Sequence, residues 1–179
     1  MRVVVIGDTH VPDFAAALPA ALLRALEGAD VILHAGDVTS PAVLDELARF
    51  APVHVALGNN DSAAVRAWGA TEHVRLELEG VRIRMLHDSG TGEGRERRTR
   101  RLFPDADVVI FGHSHIPIDT VAPDGWRLFN PGSPTWKRRQ PLPTYGVLSL
   151  ADGHVLGTAI MELPAPLPRP GFRSGARKG

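Results

Sequence analysis

A chain of 179 residues, 44% of them hydrophobic, can bury one sizeable core, and its length favours a single domain over two. Twenty basic and twenty acidic residues cancel, so the charge balance makes no case for nucleic acid or an anionic membrane as partner. The absence of cysteine excludes disulfides, thiolate zinc sites and cysteine nucleophiles, and leaves imidazole, carboxylate and amide oxygen as metal ligands. The apolar run after Met1-Arg2 is too short for a signal-peptide core, and no apolar run approaches ~18 residues, which predicts a cytoplasmic protein.

Val3-Val4-Val5-Ile6 is an unbroken β-branched run, as expected of a strand buried on both faces, and it ends in Gly7-Asp8-Thr9-His10. Residues 14–27, rich in Ala and Leu, predict a helix with Asp13 as N-cap and Gly28 as its stop, kinked or delayed by Pro19. Val31-Ile32-Leu33 predicts a second strand running into Gly36-Asp37, followed by a helix opening at Ser40-Pro41, where Ser caps and Pro fits the first turn. Residues 53–57 predict a third strand that runs into Gly58-Asn59-Asn60-Asp61, with a brief helix over 62–68 behind it.

Beyond Gly69 the pattern changes. Val74, Leu76 and Leu78 alternate with charged residues, as do Val81, Ile83 and Met85, and Glu79-Gly80 between them reads as a hairpin turn. Residues 95–102 predict a charged helix, and Val108-Val109-Ile110-Phe111 a buried strand ending at Gly112-His113. Short strands follow around 116–122, 126–130, 145–150 and 154–160, separated by Pro-Asp-Gly, Pro-Gly and Asp-Gly turns. From Leu163 onward four prolines, three arginines and one lysine occur without an acidic residue, so the chain divides into a domain over 1–162 and a disordered tail over 163–179.

The chemistry-bearing residues fall just beyond the carboxyl ends of predicted buried strands, the edge at which open α/β sheets bind ligands. Asp8 and His10 share one turn, Asp37 follows Gly36, Asn59 follows Gly58, His87 ends a hairpin strand, and His113 and His115 flank Ser114. Singly, each reads as ordinary turn chemistry. Together and in this order, Gly-Asp-x-His, Gly-Asp, Gly-Asn-x-Asp and Gly-His-x-His would arise by chance roughly once in ten thousand or less.

In these motifs the sequence resembles the calcineurin-like metallophosphoesterases, in particular the compact single-domain phosphodiesterases of bacteria and archaea. The resemblance spans residues 1–160 and includes the Asn130-Pro131-Gly132-Ser133-Pro134 turn. It implies an α/β fold, a four-layer αββα sandwich of two mixed β-sheets flanked by helices. It also implies one metal on Asp8, His10, Asp37 and His115 and a second on Asp37, Asn59, His87 and His113. Two divalent ions less two carboxylates leave the site cationic, which suits a phosphodiester. With Asp37 shared, ions about 3.5–4 Å apart can bridge a hydroxide in line with the leaving oxygen. Manganese is the first expectation, with Fe, Zn, Ni or Mg as alternatives.

Two positions depart from the family pattern. Asn60 stands where many members carry a histidine that touches the phosphate and protonates the leaving group; an amide cannot be that acid, which points to good leaving groups or a water-borne proton. Asp88 follows His87 where relatives usually have glycine. Asp61 is expected to cap the following helix, with orientation of Asn60 as the alternative. His34 reads as a support for the ligands or as a packed strand histidine, and His54, His73 and His154 as structural or solvated. Arg95 to Arg101 reads as a solvated helix face, with lining of the site mouth as the alternative, and Trp136 beside Lys137-Arg138-Arg139 is equally open. The expected function is a hydrolase acting on phosphodiesters, with a small nucleotide-like or aryl ester as substrate and no membrane partner; homo-oligomerisation stays open. The alternatives are a phosphomonoesterase using the same site and a catalytically silent protein-interaction module of the same fold, as in a retromer subunit.

Overall fold

The computed structural model describes residues 1–164. Its first sheet has the order β10-β9-β1-β2-β3, built from β1 (Arg2–Ile6), β2 (Val31–His34), β3 (Val53–Val55), β9 (Thr144–Ala151) and β10 (His154–Glu162). The second has the order β4-β5-β6-β8-β7, from β4 (His73–Leu78), β5 (Val81–Leu86), β6 (Val108–Ile110), β7 (Ile118–Val121) and β8 (Arg127–Asn130). Both are mixed: β1, β2 and β3 run parallel, as do β5, β6 and β8, while β9, β10, β4 and β7 pair antiparallel.

Period-two alternation builds the layers. On β1, Val3 and Val5 point between the sheets, where they meet Leu33, Ile83, Ile110, Phe129 and Leu148. Val4 and Ile6 point outward to Leu22, Leu26, Leu44 and Leu47 of α1 (Ala20–Leu26) and α2 (Pro41–Leu47), with Val65 of α3 (Ala63–Trp68) in the same cluster. These four side chains are fully buried, each worth about 1.5–3 kcal/mol relative to exposure. The outer face of the second sheet carries Leu86, Val109, Phe111, Trp126 and Leu128, packed with Phe103. These layers form the expected four-layer sandwich.

Three local expectations change. The first helix begins only at Ala20: Pro19 sits at its N-cap with extended backbone, φ −61° and ψ 132°, so residues 14–19 are irregular and Asp13 does not cap it. Proline, which lacks an amide hydrogen, starts this helix instead of kinking it. The third strand stops at Val55, and Ala56 makes a single bridge to Thr71. The arginines of α4 (Arg95–Leu102) are not simply solvated. Arg95 lies over Phe111 (4.7 Å) and Arg100 over Trp126 (4.4 Å), so guanidinium planes roof an aromatic sheet face that the helix's few apolar residues leave uncovered. The hairpin turn is as expected, with φ positive at both Glu79 and Gly80, and Ser40 caps α2 by accepting from the Ala42 amide. Leu163 is buried and its amide donates to the Pro143 carbonyl; from residue 165 the expected tail lies outside the described residues.

Candidate metal centre

Parallel register brings the strand ends level: Ile6, His34 and Val55 are in register in one sheet, and Met85, Ile110 and Phe129 in the other. The loops leaving those ends bond directly to one another. The Asp8 amide donates to the Gly36 carbonyl, the His10 amide to the Asp37 carbonyl, and the Gly112 amide to the His87 carbonyl. Across the sheets, the His113 amide donates to Asp8 Oδ1.

These bonds gather the expected ligands into two facing groups. Asp8, His10 and His115 form one, with His115 Nε2 3.4 Å from Asp8 Oδ1 and 3.3 Å from His10 Nε2. Asp37, His87 and His113 form the other, with Asn59 Oδ1 3.0 Å from His87 Nε2 and 2.9 Å from His113 Nδ1. Asp37 Oδ2 lies between the two, 3.6 Å from His10 Nε2 and 3.4 Å from His87 Nε2. Asp8, His10, Asp37, His87 and His115 are buried, His113 is half-buried, and Asn59 and Asn60 are exposed. A cleft of about 240 Å³, lined in part by Asn59, His87 and Asp88, opens beside the second group.

The donor set suits cations. His87 Nδ1 is 2.7 Å from the Ala35 carbonyl and His115 Nδ1 2.6 Å from that of Trp136, so Nδ1 carries a proton in either charge state and Nε2 is the nitrogen that can offer a lone pair to a cation. Asp8 Oδ2 is buried with no hydrogen-bond partner, an orphaned anionic oxygen that a bound cation would satisfy. With no cation bound, burial pushes the Asp8 carboxyl up to about 7 and the His115 imidazole down to about 4, and lowers His10 as well. At Asp37 burial also acts upward, but hydrogen bonds from His87 and Asn60 outweigh it and hold the group below the usual carboxylate range. At His87 burial acts downward, and the hydrogen bond to Asp37 and the nearby carboxylates overcome it and raise the group.

Backbone strain marks the same residues. Five of the seven expected ligands, Asp8, His10, Asp37, His113 and His115, have φ between 45° and 65°, in the left-handed region that side chains with a Cβ rarely enter. The glycines beside them make room. A Cβ on Gly36 would come within 2.7 Å of His87 Nδ1, and one on Gly58 would overlap the amide nitrogen and Oδ1 of Asp37.

A match to the calcineurin-like phosphoesterase superfamily domain spans residues 1–153. The chain belongs to that superfamily. It is 40% identical over 173 residues to a probable metallophosphoesterase of Methanothermobacter thermautotrophicus, covering 94% of this chain and 96% of the relative. It is 35% identical over 155 residues to one of Methanocaldococcus jannaschii, covering 85% and 77%. Among solved structures, a Thermotoga maritima protein superposes with a TM-score of 0.71 at 32% identity, over 90% of this chain and 99% of that one. Wild-type Vps29 of Entamoeba histolytica, solved in complex with Zn2+, gives 0.74 at 24% identity, over 91% and 98%. As a calcineurin-like phosphoesterase with two clusters of Asp and His that could each hold a divalent ion, the chain has the family and the donor chemistry of a metal-dependent phosphoester hydrolase. Phosphorylated small molecules are the substrate class this suggests, and no helix among the described residues is long and apolar enough to cross a membrane.

Several supports of this phosphoesterase centre were missed or misread in the sequence. Asp61 does not cap α3, whose N-cap is Ser62. Its Oδ2 accepts from the amides of Gly58 (2.7 Å) and Asp37 (3.1 Å) and its Oδ1 from that of Thr39 (2.8 Å), so it ties two ligand loops together. Asn130 donates to the Gly112 carbonyl, Ser133 Oγ to the Asp8 carbonyl and Thr135 Oγ1 to the Thr9 carbonyl, all from the Asn-Pro-Gly-Ser-Pro turn and the residues after it. Their only sequence signal was that turn. His34 is a support: it is fully buried, pushed by burial down to about 3 and therefore neutral. It accepts the Gly36 amide on Nδ1 and donates from Nε2 to Thr9 Oγ1. Asp88 keeps a negative φ and accepts the Gly90 amide, so glycine is not needed there.

Proposed function

We propose that the chain hydrolyses phosphodiesters with two divalent ions, one held by Asp8, His10, Asp37 and His115 and the other by Asp37, Asn59, His87 and His113. The observation that carries this is the position of Asp37 Oδ2, within 3.6 Å of an imidazole nitrogen from each triad, which suits one carboxylate shared by two ions. Manganese is the first choice for this oxygen and imidazole set, with Fe, Zn, Ni or Mg as alternatives. The two ions would supply an activated hydroxide as nucleophile and charge neutralisation at the phosphoryl oxygens.

The chain's own residues hold and orient. The Nδ1 protons of His87 and His115 are held by carbonyls, which keeps both imidazoles in the ligating tautomer. Asn60 Nδ2 donates to Asp37 Oδ2 (2.7 Å) and the Asn60 amide to Oδ1 (2.8 Å). With a cation on Oδ2, the Asn60 side chain would be free to donate to a phosphate oxygen. It cannot protonate the departing oxygen, so esters whose leaving group departs as a stable anion are favoured.

The test compares bis(4-nitrophenyl) phosphate with 4-nitrophenyl phosphate after loading purified protein with Mn2+. The diester should turn over faster, and Asp37→Ala should lower kcat/KM by about 10³-fold or more. Preference for the monoester would establish the phosphomonoesterase reading, inertness towards both the interaction module, and near-normal rates in Asp37→Ala would refute the shared-carboxylate mechanism.

A further inference from the structure

An aromatic stack stands beside the first triad and belongs to none of the three apolar clusters. The rings of Phe14 and Trp136 lie 3.9 Å apart and nearly parallel, at 8°. The Arg138 guanidinium lies over Trp136, 4.7 Å from the ring centre. A flat ring has two faces, and with Phe14 on one, Arg138 takes the other. The stack therefore ends on the outer face of Phe14, a residue 51% exposed despite its size.

The stack is fixed to the metal-facing histidines. His10 packs edge-on against both rings, 5.3 Å from Phe14 and 5.5 Å from Trp136, and the His115 ring meets Trp136 at 90°. The Phe14 amide donates to the His10 carbonyl, and the Trp136 carbonyl holds the His115 Nδ1 proton. An exposed phenyl ring, backed by a second ring and a cation, adds nothing to the core, but it presents a rigid π-face one imidazole away from the expected phosphate position. One sugar ring separates the base of a nucleotide from its phosphate, which is a comparable span. Stacking on such a face is tolerant of base identity because every base has a π-face.

We propose that Phe14, backed by Trp136 and Arg138, is the specificity-determining face that stacks the nucleobase of a nucleotide-derived phosphodiester. This rests on the phosphoesterase reading above and names the substrate class of that site. Phe14 touches no reacting atom; it raises affinity for substrates that carry a base.

The test separates base from phosphate. With Mn2+-loaded protein turning over bis(4-nitrophenyl) phosphate, inhibition by AMP is compared with inhibition by ribose 5-phosphate, which carries a hydroxyl where AMP carries the base. AMP should bind about tenfold more tightly. Phe14→Ala and Phe14→Leu should both bring that ratio close to one, because leucine still covers His10 but offers no π-face. Where a variant turns over too slowly for inhibition, calorimetric titration of the loaded protein gives the same ratio. Equal affinity for the two ligands in the wild type, or a ratio that survives either substitution, overturns the proposal while the diester turnover stands. Loss of wild-type turnover on every metal, with neither ligand bound, sinks the phosphoesterase reading and this one with it.

Discussion

Replacing Asp61 tests whether the site is held by its own supports or by the surrounding fold. Its carboxylate accepts three backbone amides, from Gly58, Asp37 and Thr39, at 2.7, 3.1 and 2.8 Å. Hydrogen bonds to a charged group are worth about 1.5–3 kcal/mol each, but Asp61 is only half-buried, so water replaces part of what alanine removes. A loss of about 3 kcal/mol is expected for Asp61→Ala. At this chain length that corresponds to a fall in Tm of about 6–12 °C. Asp61→Asn keeps one accepting oxygen and turns an amide donor towards the remaining N–H group or groups, so about half that loss is expected. Activity should suffer more than stability suggests, because two of the three amides belong to Asp37 and to the glycine packed against it; a displacement near 1 Å can cost about 10²-fold in rate. Ser62→Ala is the control. The Ser62 side chain makes no capping bond, so the change should stay within about 0.5 kcal/mol. Thermal and denaturant unfolding of the three variants, with metal titration, decide the matter. An Asp61→Ala protein as stable and active as wild type, or a Ser62→Ala protein that loses as much, would refute the clamp.

Metal removal should be visible without any substrate. Excess chelator should lower Tm, and saturating Mn2+ at about 1,000 times its Kd should restore about 4 kcal/mol, a gain that Asp37→Ala should largely abolish; no shift with any of the five candidate metals would contradict the site. The pH dependence of stability has a contribution of known sign from His34. Its folded value of about 3 lies below the ordinary 6.5, so the unfolded chain binds the extra proton as pH falls, and stability present above 6.5 is lost on acidification. Between pH 6.5 and 4.5 the cost is about 2–3 kcal/mol, and His34→Gln should flatten the chelated protein's denaturation-midpoint profile by that amount; parallel profiles would mean that His34 titrates freely in the fold. Asp8→Asn should stabilise the chelated protein at pH 8, since it removes a buried, unpartnered anionic oxygen, and should at the same time weaken Mn2+ binding; a chelated variant less stable than wild type would contradict that reading of Asp8.

The legible part of this molecule is the part written in periodicity and in glycine. Val3 to Ile6 reads as a two-faced strand because both faces are covered, and the ligand loops read as loops because a glycine or a tight turn adjoins each polar residue. The illegible part depends on geometry that only the assembled sheets create. Asp61 sits where a helix cap would be drawn, and nothing local says that the amides of Asp37 and Thr39, 24 and 22 residues away, will converge on it. The arginines of α4 look solvated until Phe111 and Trp126 are known to lie beneath them. Phe14 falls inside an expected helix because Ala and Leu follow it, whereas the helix starts after Pro19, residues 14–19 are irregular and the ring stacks on Trp136.

Left-handed backbone at a residue with a Cβ costs on the order of 1–3 kcal/mol, and five expected ligands adopt it at once. A chain selected for stability alone would place glycine or asparagine there, as it places Gly28 just beyond the end of α1 at φ 73°. Asp and His persist instead, in loops held by the carboxylate of Asp61, the side-chain amide of Asn130 and the hydroxyls of Ser133 and Thr135, none of them an expected ligand. The opposing strain is therefore borne by folded structure before any ion arrives, and little of a cation's binding energy is consumed in ordering loops. Such a site would bind a cation with its donors already turned inward, and its weakest point would be the set of supports rather than the ligands themselves.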